Sequence, residues 1–397
     1  MDKKIIFTSI FIGLNLLSCN SKKEEYDSEI EIIPVNLNRI ESAPMTEIIE
    51  KIEIIPLETN DDCLISMYSK VVYYKEIELF VIVDNKNVVF LFTKEGKFVT
   101  NSKHAQGLGP QQYWIAVDFL YNPFSKCIEI FNPYGTIHRY DTSFNFIEKI
   151  SLEQKDIIFQ KFMPLSATQY ILIPSIFSPS DAVLYFCDFN KKTIEKLASY
   201  EKHYISSLTM NYQFFSQFDD QLLFSPNGVD YHFYQISADL SSVEPVLKLD
   251  FGSEELSKKR LERMTGFSYK SSNNEKDQVL KINKMNDANQ VLLESDLYIP
   301  IVKLISAKYV YIHILSNQKR SNYIYNRKTQ KGFFQKADDT FKLYFGIQMD
   351  ENVLIAISQP FEIDEYVKKQ YMSQQDIEKM ENIREDDNPI IIQYHLK

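Results

Sequence analysis

The sequence contains few glycine, tryptophan and cysteine residues, and its acidic residues outnumber its basic ones. Its 397 residues include 10 glycines, one tryptophan and four cysteines, and the formal net charge is −10. The acidic balance argues against nucleic acid as a partner, because phosphate binding requires a basic face. Three of the cysteines, Cys63, Cys127 and Cys187, are widely spaced, which argues against a disulfide framework and against a clustered metal site.

Phenylalanine and tyrosine are abundant by contrast, with 28 and 25 copies. Aromatic and β-branched side chains favour the pleated, half-buried surfaces of β-strands. The same aromatic rings could stack on sugars, but large apolar side chains more commonly fill a core. The composition therefore indicates a strand-rich fold whose hydrophobic residues, 44% of the chain, can form a substantial core.

The N-terminus has the order of features of a bacterial export signal. Two lysines precede an apolar stretch over residues 5–17, which is shorter than the roughly 20 residues that span a membrane. The stretch ends in Leu16-Leu17-Ser18-Cys19, which resembles the lipobox of bacterial lipoproteins. That resemblance implies that residues 1–18 are a signal peptide and that Cys19 is diacylated as the new N-terminus. The alternative is a plain signal peptide with an incidental cysteine.

A polar segment follows Cys19. Residues 20–29 are too polar to bury themselves, so residues 19–44 are predicted to be a lipidated cysteine followed by a flexible tether. The run Lys22-Lys23-Glu24-Glu25 resembles the surface-export signal of Bacteroidetes lipoproteins, and it is equally consistent with a solvated periplasmic linker. The predicted location is the outer membrane, at the cell surface or on the periplasmic face, with the lipid anchor as the membrane contact.

Apolar strand-like stretches recur along the rest of the chain. Residues 79–98 align without a gap on residues 127–146, at an offset of 48 residues, and the alignment places Asp84 on Asn132. Each copy reads as strand, turn and strand. Aspartate and asparagine supply the left-handed turn positions that the scarce glycines do not.

Weaker copies continue the series. Residues 183–197 place Asp188 at the position of Asp84, and residues 309–334 place Asn326 at a turn. A period of roughly 40–50 residues with about four strands in each unit is typical of the blades of a β-propeller. Further strands are predicted in residues 221–251, 341–358 and 389–397.

The predicted fold is therefore an all-β, six-bladed propeller over residues 45–397. Five blades are centred near residues 85, 135, 187, 235 and 325, and the sixth combines 341–358 with 389–397. Residues 47–57 supply the strand that the sixth blade lacks, so that the two chain ends pair and no sheet edge stays open. A pair of β-sandwiches explains the regular period less well.

Two insertions interrupt the repeats, at 253–290 and 360–388. Residues 253–266 are predicted to form a helix that begins at the N-cap Ser253 and ends at Gly266, and residues 267–290 a mobile loop. A second helix is predicted over residues 373–386. Long insertions in compact domains are often functional.

Three motifs resemble the six-bladed β-propeller lipoproteins of Bacteroidetes. They are Ile54-Ile55-Pro56-Leu57-Glu58-Thr59, the loop Gly107-Leu108-Gly109-Pro110-Gln111-Gln112-Tyr113, and Asn388-Pro389-Ile390-Ile391. The resemblance covers about residues 45–397, and it implies the fold and a lipid anchor but no activity. Gln112 stands where the family usually has glutamate, so an ionic role of that position is in doubt.

The loop around Gly107 and Gly109 is a candidate binding segment. It is not a phosphate loop, because no Lys-Ser/Thr pair and no helix follow it and Pro110 lacks an N–H donor. The expectation is a tight connection between blades one and two, with Tyr113 and Trp114 at the start of the next inner strand. Candidate functional side chains in this loop are those of His104, Gln112 and Tyr113.

A cofactor is not expected, although a divalent cation remains an alternative. At the level of fold, the sequence resembles gluconolactonase-like propellers, which hold such a cation in the axial channel. Asp118 and Asp219 are the weak candidates for ligands, and Asp219 is more simply explained by a hairpin turn. The sequence has no GxSxG motif.

Three hypotheses about function follow. The leading one is a membrane-anchored binding or scaffold module whose propeller recognises a protein, peptide or glycan. The second is a hydrolase or lyase that acts in the axial funnel, with or without a divalent cation. The third is a structural subunit of an envelope assembly, with the insertions as its docking surface.

Overall fold

A computed structural model describes residues 30–37, 42–154, 156–175, 178, 182–197, 213–226, 228–266, 278–337 and 339–397. These residues form six β-sheets that follow one another along the chain as the blades of a propeller. The prediction of an all-β, six-bladed propeller is confirmed.

The strands are numbered in chain order. Three of them precede the first full blade: β1 (Glu31–Pro34), β2 (Ala43–Pro44) and β3 (Ile49–Pro56). Blade one contains β4 (Tyr68–Tyr74), β5 (Leu79–Asp84), β6 (Val89–Thr93) and β7 (Phe98–Asn101). Blade two contains β8 (Asp118–Asn122), β9 (Cys127–Asn132), β10 (Thr136–Tyr140) and β11 (Phe146–Ser151). Blade three contains β12 (Phe159–Pro164), β13 (Gln169–Pro174), β14 (Tyr185–Asp188) and β15 (Thr193–Lys196).

The second half of the ring follows the same plan. Blade four contains β16 (Phe215–Phe218), β17 (Gln221–Phe224), β18 (His232–Ile236) and β19 (Val243–Asp250). Blade five contains β20 (Ile299–Ile305), β21 (Tyr309–Ser316), β22 (Lys319–Asn326) and β23 (Lys331–Gln335). Blade six contains β24 (Gln348–Asp350), β25 (Val353–Ser358) and β26 (Ile390–Leu396).

The ring is closed by β3, which pairs antiparallel with β26 and becomes the outermost strand of blade six. The register runs from Pro56 opposite Ile390 to Ile49 opposite Leu396. Isoleucines on both strands are fully buried, among them Ile54 and Ile392. The predicted closure by the two chain ends is therefore confirmed, and the pairing removes an exposed edge.

Two short strands extend the outer edges of neighbouring blades. β1 pairs parallel with β19 of blade four, and β2 pairs parallel with β23 of blade five. Arg327 fixes β1 further, because its Nε and Nη2 atoms donate to the two carboxylate oxygens of Glu31 at 3.0 and 2.6 Å. The part of the chain that packs on the propeller thus includes Glu31, which lies within the predicted tether.

The core is divided among the blade interfaces. The buried apolar residues of the described ranges form six clusters, and each cluster is shared by two neighbouring blades. Tyrosines contribute heavily, since Tyr170, Tyr309, Tyr311 and Tyr394 have no exposed surface. The abundance of aromatic residues is accordingly explained in large part by packing between blades.

The aspartate and asparagine turns are correctly predicted, but the weaker copy with Asp188 is one strand out of phase. Asp84 and Asn132 both end the second strand of their blade, and each side chain accepts a hydrogen bond from the backbone N–H two residues later. Asp188 makes the same type of turn after the third strand instead. Asn326 also ends the third strand of its blade, at the turn where it was predicted. The same turn chemistry serves both hairpins, so it cannot distinguish them in the sequence.

The insertion after blade four is more helical than predicted. Helix α1 (Lys258–Thr265) begins at the N-cap Ser257, whose side chain accepts from the Arg260 N–H, and it ends at Gly266 with φ +65°. Ser253 lies instead in a short 3-10 helix. Helix α2 (Gln278–Leu293) occupies most of the predicted loop.

Helix α2 escaped prediction because its apolar residues are not confined to one face: Val279, Leu280 and Ile282 are exposed. Met285, Ala288, Asn289 and Leu292 are buried, and their spacing of three and four residues places them on one face of the helix. That face packs in the cluster shared by blades four and five.

The second insertion joins β25 to β26 and carries two further helices. They are α3 (Ile363–Tyr366) and α4 (Gln374–Glu381). Helix α4 confirms the core of the predicted helix, although it ends at Glu381. Its Lys379 ammonium donates to the Ile54 carbonyl at 3.2 Å, so the insertion packs against the closing strand β3.

A buried ionic network joins blades two and three. Glu129 has no exposed surface and Arg139 is 4% exposed. The Arg139 Nε donates to Glu129 at 2.9 Å, and its Nη2 donates to the Tyr170 hydroxyl at 2.8 Å. The Asn122 amide also donates to Glu129, at 3.0 Å. Burial raises the pKa of Glu129, and the arginine opposes that rise.

The first prediction concerns this network. Arg139→Met leaves Glu129 buried without its cation, so the free energy of unfolding should fall by about 3–5 kcal/mol. This loss of stability should be larger at pH 8 than at pH 5. The raised pKa of Glu129 lets the folded variant take up a proton on this carboxylate as the pH falls. Lys94→Met, which removes an exposed pair with Glu78, should leave stability nearly unchanged. Chemical denaturation measures both, and equal effects of the two substitutions would contradict the prediction.

Candidate functional site

The first strand of each blade faces the propeller axis, and these strands surround a funnel. Its cavity has a volume of about 260 Å³ and is lined by residues of β4, β8, β12, β16 and β24. Apolar side chains form much of the wall, among them Tyr74, Leu120, Met163 and Phe215. The axial funnel is therefore an apolar cavity with few polar groups, as is common for small-molecule sites.

Three charged side chains meet in this funnel. The Asp118 Oδ1 atom lies 2.6 Å from the Lys70 Nζ atom and 3.2 Å from the Lys161 Nζ atom. The Asp118 side chain is 3% exposed, that of Lys70 17% and that of Lys161 29%. Lys161 is thus the member of the cluster that solvent reaches most easily.

The charges of the cluster are mutually dependent. Burial on its own would raise the pKa of Asp118, but the ammonium groups of Lys161 and Lys70 outweigh it and hold that pKa below its usual range. Burial lowers the pKa of Lys70, and the Asp118 carboxylate offsets part of that effect. The carboxylate therefore stays ionised, and its charge helps to keep Lys70 protonated.

The internal repeat explains why these residues meet. Lys70 pairs with Val83 across blade one, and Asp118 pairs with Phe131 across blade two. Both pairs are separated by the same 48 residues as Asp84 and Asn132, so Lys70 and Asp118 occupy equivalent places on adjacent inner strands. Extension of the repeat from Asp118 to Lys70 would have identified the partner from the sequence.

Two glutamines of the funnel wall are held by the backbone. Gln348 accepts from the Tyr73 N–H at 2.9 Å and donates to the Tyr73 carbonyl at 3.0 Å, which joins blade six to blade one. The Gln213 side chain accepts from the Met349 N–H at 3.1 Å. Their amides therefore fix the shape of the funnel.

The loop that includes Gly107, Gly109 and Pro110 connects blades one and two, as predicted. The Gly107 N–H donates to the Tyr113 carbonyl at 3.0 Å, and the Tyr113 N–H donates to the Ala105 carbonyl at 3.0 Å. These backbone donors are used within the loop and do not form a cradle for phosphate. The inner strand β8 begins only at Asp118, so Tyr113 and Trp114 lie before it and not in it.

Gln112 organises the loop through its side chain. Its Oε1 accepts from the Gly109 N–H at 3.1 Å, and its Nε2 donates to the His104 carbonyl at 3.1 Å. A Cβ atom on Gly107 would lie 2.2 Å from the Gln112 Oε1, and the φ of Gly107 is +149°. Glycine is therefore required beside the glutamine.

Tyr113 and His104 make structural contacts. The Tyr113 ring is buried, and its hydroxyl donates to the Asn87 carbonyl at 2.8 Å and lies 2.6 Å from the Ser102 Oγ. The exposed His104 places its Nε2 3.2 Å from the Phe144 carbonyl. Residues of the loop and of the turn at Phe144 also line a surface groove of about 550 Å³.

The structure separates the two candidate metal ligands. Asp118 lies in the funnel, whereas Asp219 lies in the exposed hairpin turn between β16 and β17, with φ +49°. No group of three His, Cys, Asp or Glu side chains that could hold a metal occurs in the described part of the chain. Two ammonium groups next to Asp118 repel a cation, so these residues do not fit a divalent metal. Cys19 lies outside the described residues.

The sequence profile of a protein family described as "Domain of unknown function (DUF4934)" matches residues 30–395. The chain belongs to this DUF4934 family. The match begins just before β1 and includes both short outer strands, which agrees with their place on the propeller. No curated protein matches the chain.

A solved structure supports the fold of this DUF4934 protein. A "Putative exported protein (BF0058)" from Bacteroides fragilis NCTC 9343 superimposes with a TM-score of 0.70 at 15% identity, over 92% of this chain and 99% of that one. The RRP9 WD40 repeats superimpose with a TM-score of 0.42 at 7% identity, over 87% and 98% of the two chains. Among the helices of the described ranges, none has the length and hydrophobicity to span a bilayer.

The second prediction concerns Gln112. Gln112→Glu replaces the amide donor with an oxygen that faces the His104 carbonyl, so stability at pH 8 should fall by about 1 kcal/mol. At pH 4 a protonated glutamate can donate again, and the loss should shrink. Gln111→Glu on the exposed neighbour is the control. Thermal unfolding at both pH values is the measurement, and a variant at position 112 as stable as the wild type at pH 8 would contradict the expectation.

Proposed function

We propose that the chain is an exported, lipid-anchored propeller that binds a ligand in its axial funnel. The observation that carries this proposal is the cavity in which Lys70, Asp118 and Lys161 meet among apolar side chains. Charged groups are costly to desolvate, and such groups in a cavity are more common at functional sites than elsewhere. Binding of a ligand would account for the presence of these charged groups in an apolar cavity.

Exposed apolar side chains on the connection between blades one and two support contact with a protein, peptide or glycan. Leu108 is 82% exposed and Trp114 is 69% exposed. Tryptophan is enriched in the binding surfaces of proteins, and its ring also stacks on other flat groups. These two side chains are therefore candidates for contacts with a ligand outside the funnel.

A hydrolase or lyase in the same funnel is less well supported. Asp118 is already paired with two lysines, and the described residues that line the funnel include no second carboxylate, histidine or cysteine. A metal-assisted cleavage needs ligands that converge on the cation. The geometry supports binding over metal-assisted catalysis.

Export and anchoring are supported by the sequence of the N-terminus. The apolar stretch ends at Cys19 in the order expected for a lipoprotein signal. The structural neighbour from Bacteroides fragilis is itself named as exported. We place this chain in the cell envelope, with the acyl groups on Cys19 in the outer membrane.

The third prediction tests the anchor. Cys19→Ala removes the thiol that would carry the diacylglycerol, so the protein should leave the membrane fraction and should not incorporate labelled palmitate. Cys127→Ala, a substitution of a buried cysteine, should stay in the membrane fraction. Cell fractionation with immunoblotting is the measurement. Membrane retention of the Cys19 variant would contradict the anchor.

The fourth prediction tests binding in the funnel. Val72→Trp fills the funnel from β4, whereas Val99→Trp places the same bulk on an exposed site of β7. A ligand that binds only the folded state raises the melting temperature. In a screen of sugars, short peptides and organic acids, at least one class should stabilise the wild type and Val99→Trp but not Val72→Trp. A screen without such a ligand, or with equal responses in both variants, would count against the function.

A further inference from the structure

The funnel carries an excess of positive charge, although the whole chain is acidic. Two lysines and one aspartate are the charged residues among those that line the cavity in the described ranges. Both ammonium groups contact the same oxygen of Asp118, at 2.6 and 3.2 Å. One carboxylate cannot neutralise two ammonium groups, so the lining has a net charge of +1.

The excess charge is most available at Lys161. The Lys70 ammonium is held between the Asp118 carboxylate and the Phe119 carbonyl. Lys161 makes the longer contact with Asp118, and its side chain is the more exposed of the two. An ammonium group has three N–H donors, and Asp118 is the hydrogen-bond acceptor that the described residues offer to Lys161.

Asp118 has little capacity left for another donor. Its Oδ1 accepts from both lysines, and its Oδ2 accepts from the Phe162 N–H at 3.4 Å. A cationic ligand would therefore compete with lysines that are part of the chain. An anionic ligand would instead add the negative charge that the cluster lacks.

The size and the walls of the funnel limit the rest of the ligand. Its volume of about 260 Å³ is near the lower end of the roughly 300–1,000 Å³ typical of small-molecule sites. Tyr74, Leu120, Met163 and Phe215 line it with apolar surface. A compact apolar group fits these walls better than a chain of hydroxyls, which would lose hydrogen bonds to water.

We propose that the funnel binds a small organic anion, whose carboxylate contacts Lys161 and whose apolar body contacts the wall formed by Tyr74, Leu120, Met163 and Phe215. This inference rests on the proposed binding function and names its ligand class. The carboxylate belongs either to a free organic acid or to the end of a larger ligand that reaches into the funnel from outside.

The fifth prediction is a charge series with benzoate as the probe. Lys161→Met reduces the net charge of the cluster to zero and leaves the Lys70–Asp118 pair, so benzoate affinity should fall by at least ~10-fold. Asp118→Asn removes the carboxylate that competes with the probe for the Lys161 ammonium, so affinity should rise severalfold, even when Lys70 loses the proton that Asp118 helps it to keep. Isothermal titration calorimetry on residues 20–397 measures both, and melting curves verify that each variant is folded.

Opposite responses distinguish a binding role from a merely structural one. A structural cluster would lose affinity in both variants, and that result would overturn the proposal. Benzamide, which is neutral and nearly the same shape as benzoate, should bind at least ~10-fold more weakly to the wild type. Equal binding of benzamide and benzoate would also overturn it, whatever the variants do.

Two further probes identify the chemical class of the group that carries the carboxylate. Glucuronate represents a sugar acid and should bind weakly, whereas N-acetylphenylalanine represents a peptide terminus with an apolar side chain and should bind. Tighter binding of glucuronate than of benzoate would contradict the apolar body. Benzoate could show no binding while a neutral sugar or peptide stabilises the wild type and not Val72→Trp. In that case the inference of an anionic ligand is wrong and the proposed binding function stands. If no class of ligand responds, both fail.

Discussion

The pairing of β3 with β26 is the contact on which the rest of the molecule depends. It joins residues near the two ends of the propeller in one sheet, so blade six is complete only when the ring is closed. Each hydrophobic cluster is shared by two neighbouring blades. Without closure, two of these interfaces would lose packing area, and the edge of β26 would be open to other chains.

Ring closure also creates the funnel. Blade six contributes β24 to the funnel wall. Lys70, Asp118 and Lys161 lie on the inner strands of three consecutive blades, and packing between these blades places their charged groups in contact. Each of these charges would be costly alone in such an apolar cavity. Together they form a stable cluster that still has one positive charge in excess, which is the property that makes the funnel a candidate site.

Much of the fold could be predicted from the sequence because its repeat is local. The 48-residue offset, the turns at Asp84 and Asn132 and the closing strand all depend on short-range patterns. The sequence could not show which two strands the turn at Asp188 joins, because the same type of turn occurs after the second strand of some blades and after the third strand of others. Helix α2 was not predicted because its apolar residues lie on several faces, and packing against blades four and five decides which of them are buried.

Of the three charged residues in the funnel, only Asp118 was predicted from the sequence. Asp118 was identified as an inner-strand residue, but its two lysine partners were not. Lys70 lies at the 48-residue offset of the repeat and was accessible to sequence reasoning, whereas Lys161 follows Asp118 by 43 residues and does not fit that offset. The family motif at Gln112 proved to be the internal support of a loop, with both polar atoms of its amide used. The loop motif with Gln112 is thus accounted for by its structural role, whereas no sequence motif marks the cluster of Lys70, Asp118 and Lys161.

The central claim is that the axial funnel is a binding site for an anion. A crystal structure of residues 20–397 grown with benzoate tests it most directly. We expect density for benzoate in the funnel, with a carboxylate oxygen within hydrogen-bonding distance of the Lys161 Nζ atom and the ring against Met163 and Phe215. A well-ordered funnel without benzoate, or benzoate bound only elsewhere on the propeller, would contradict it.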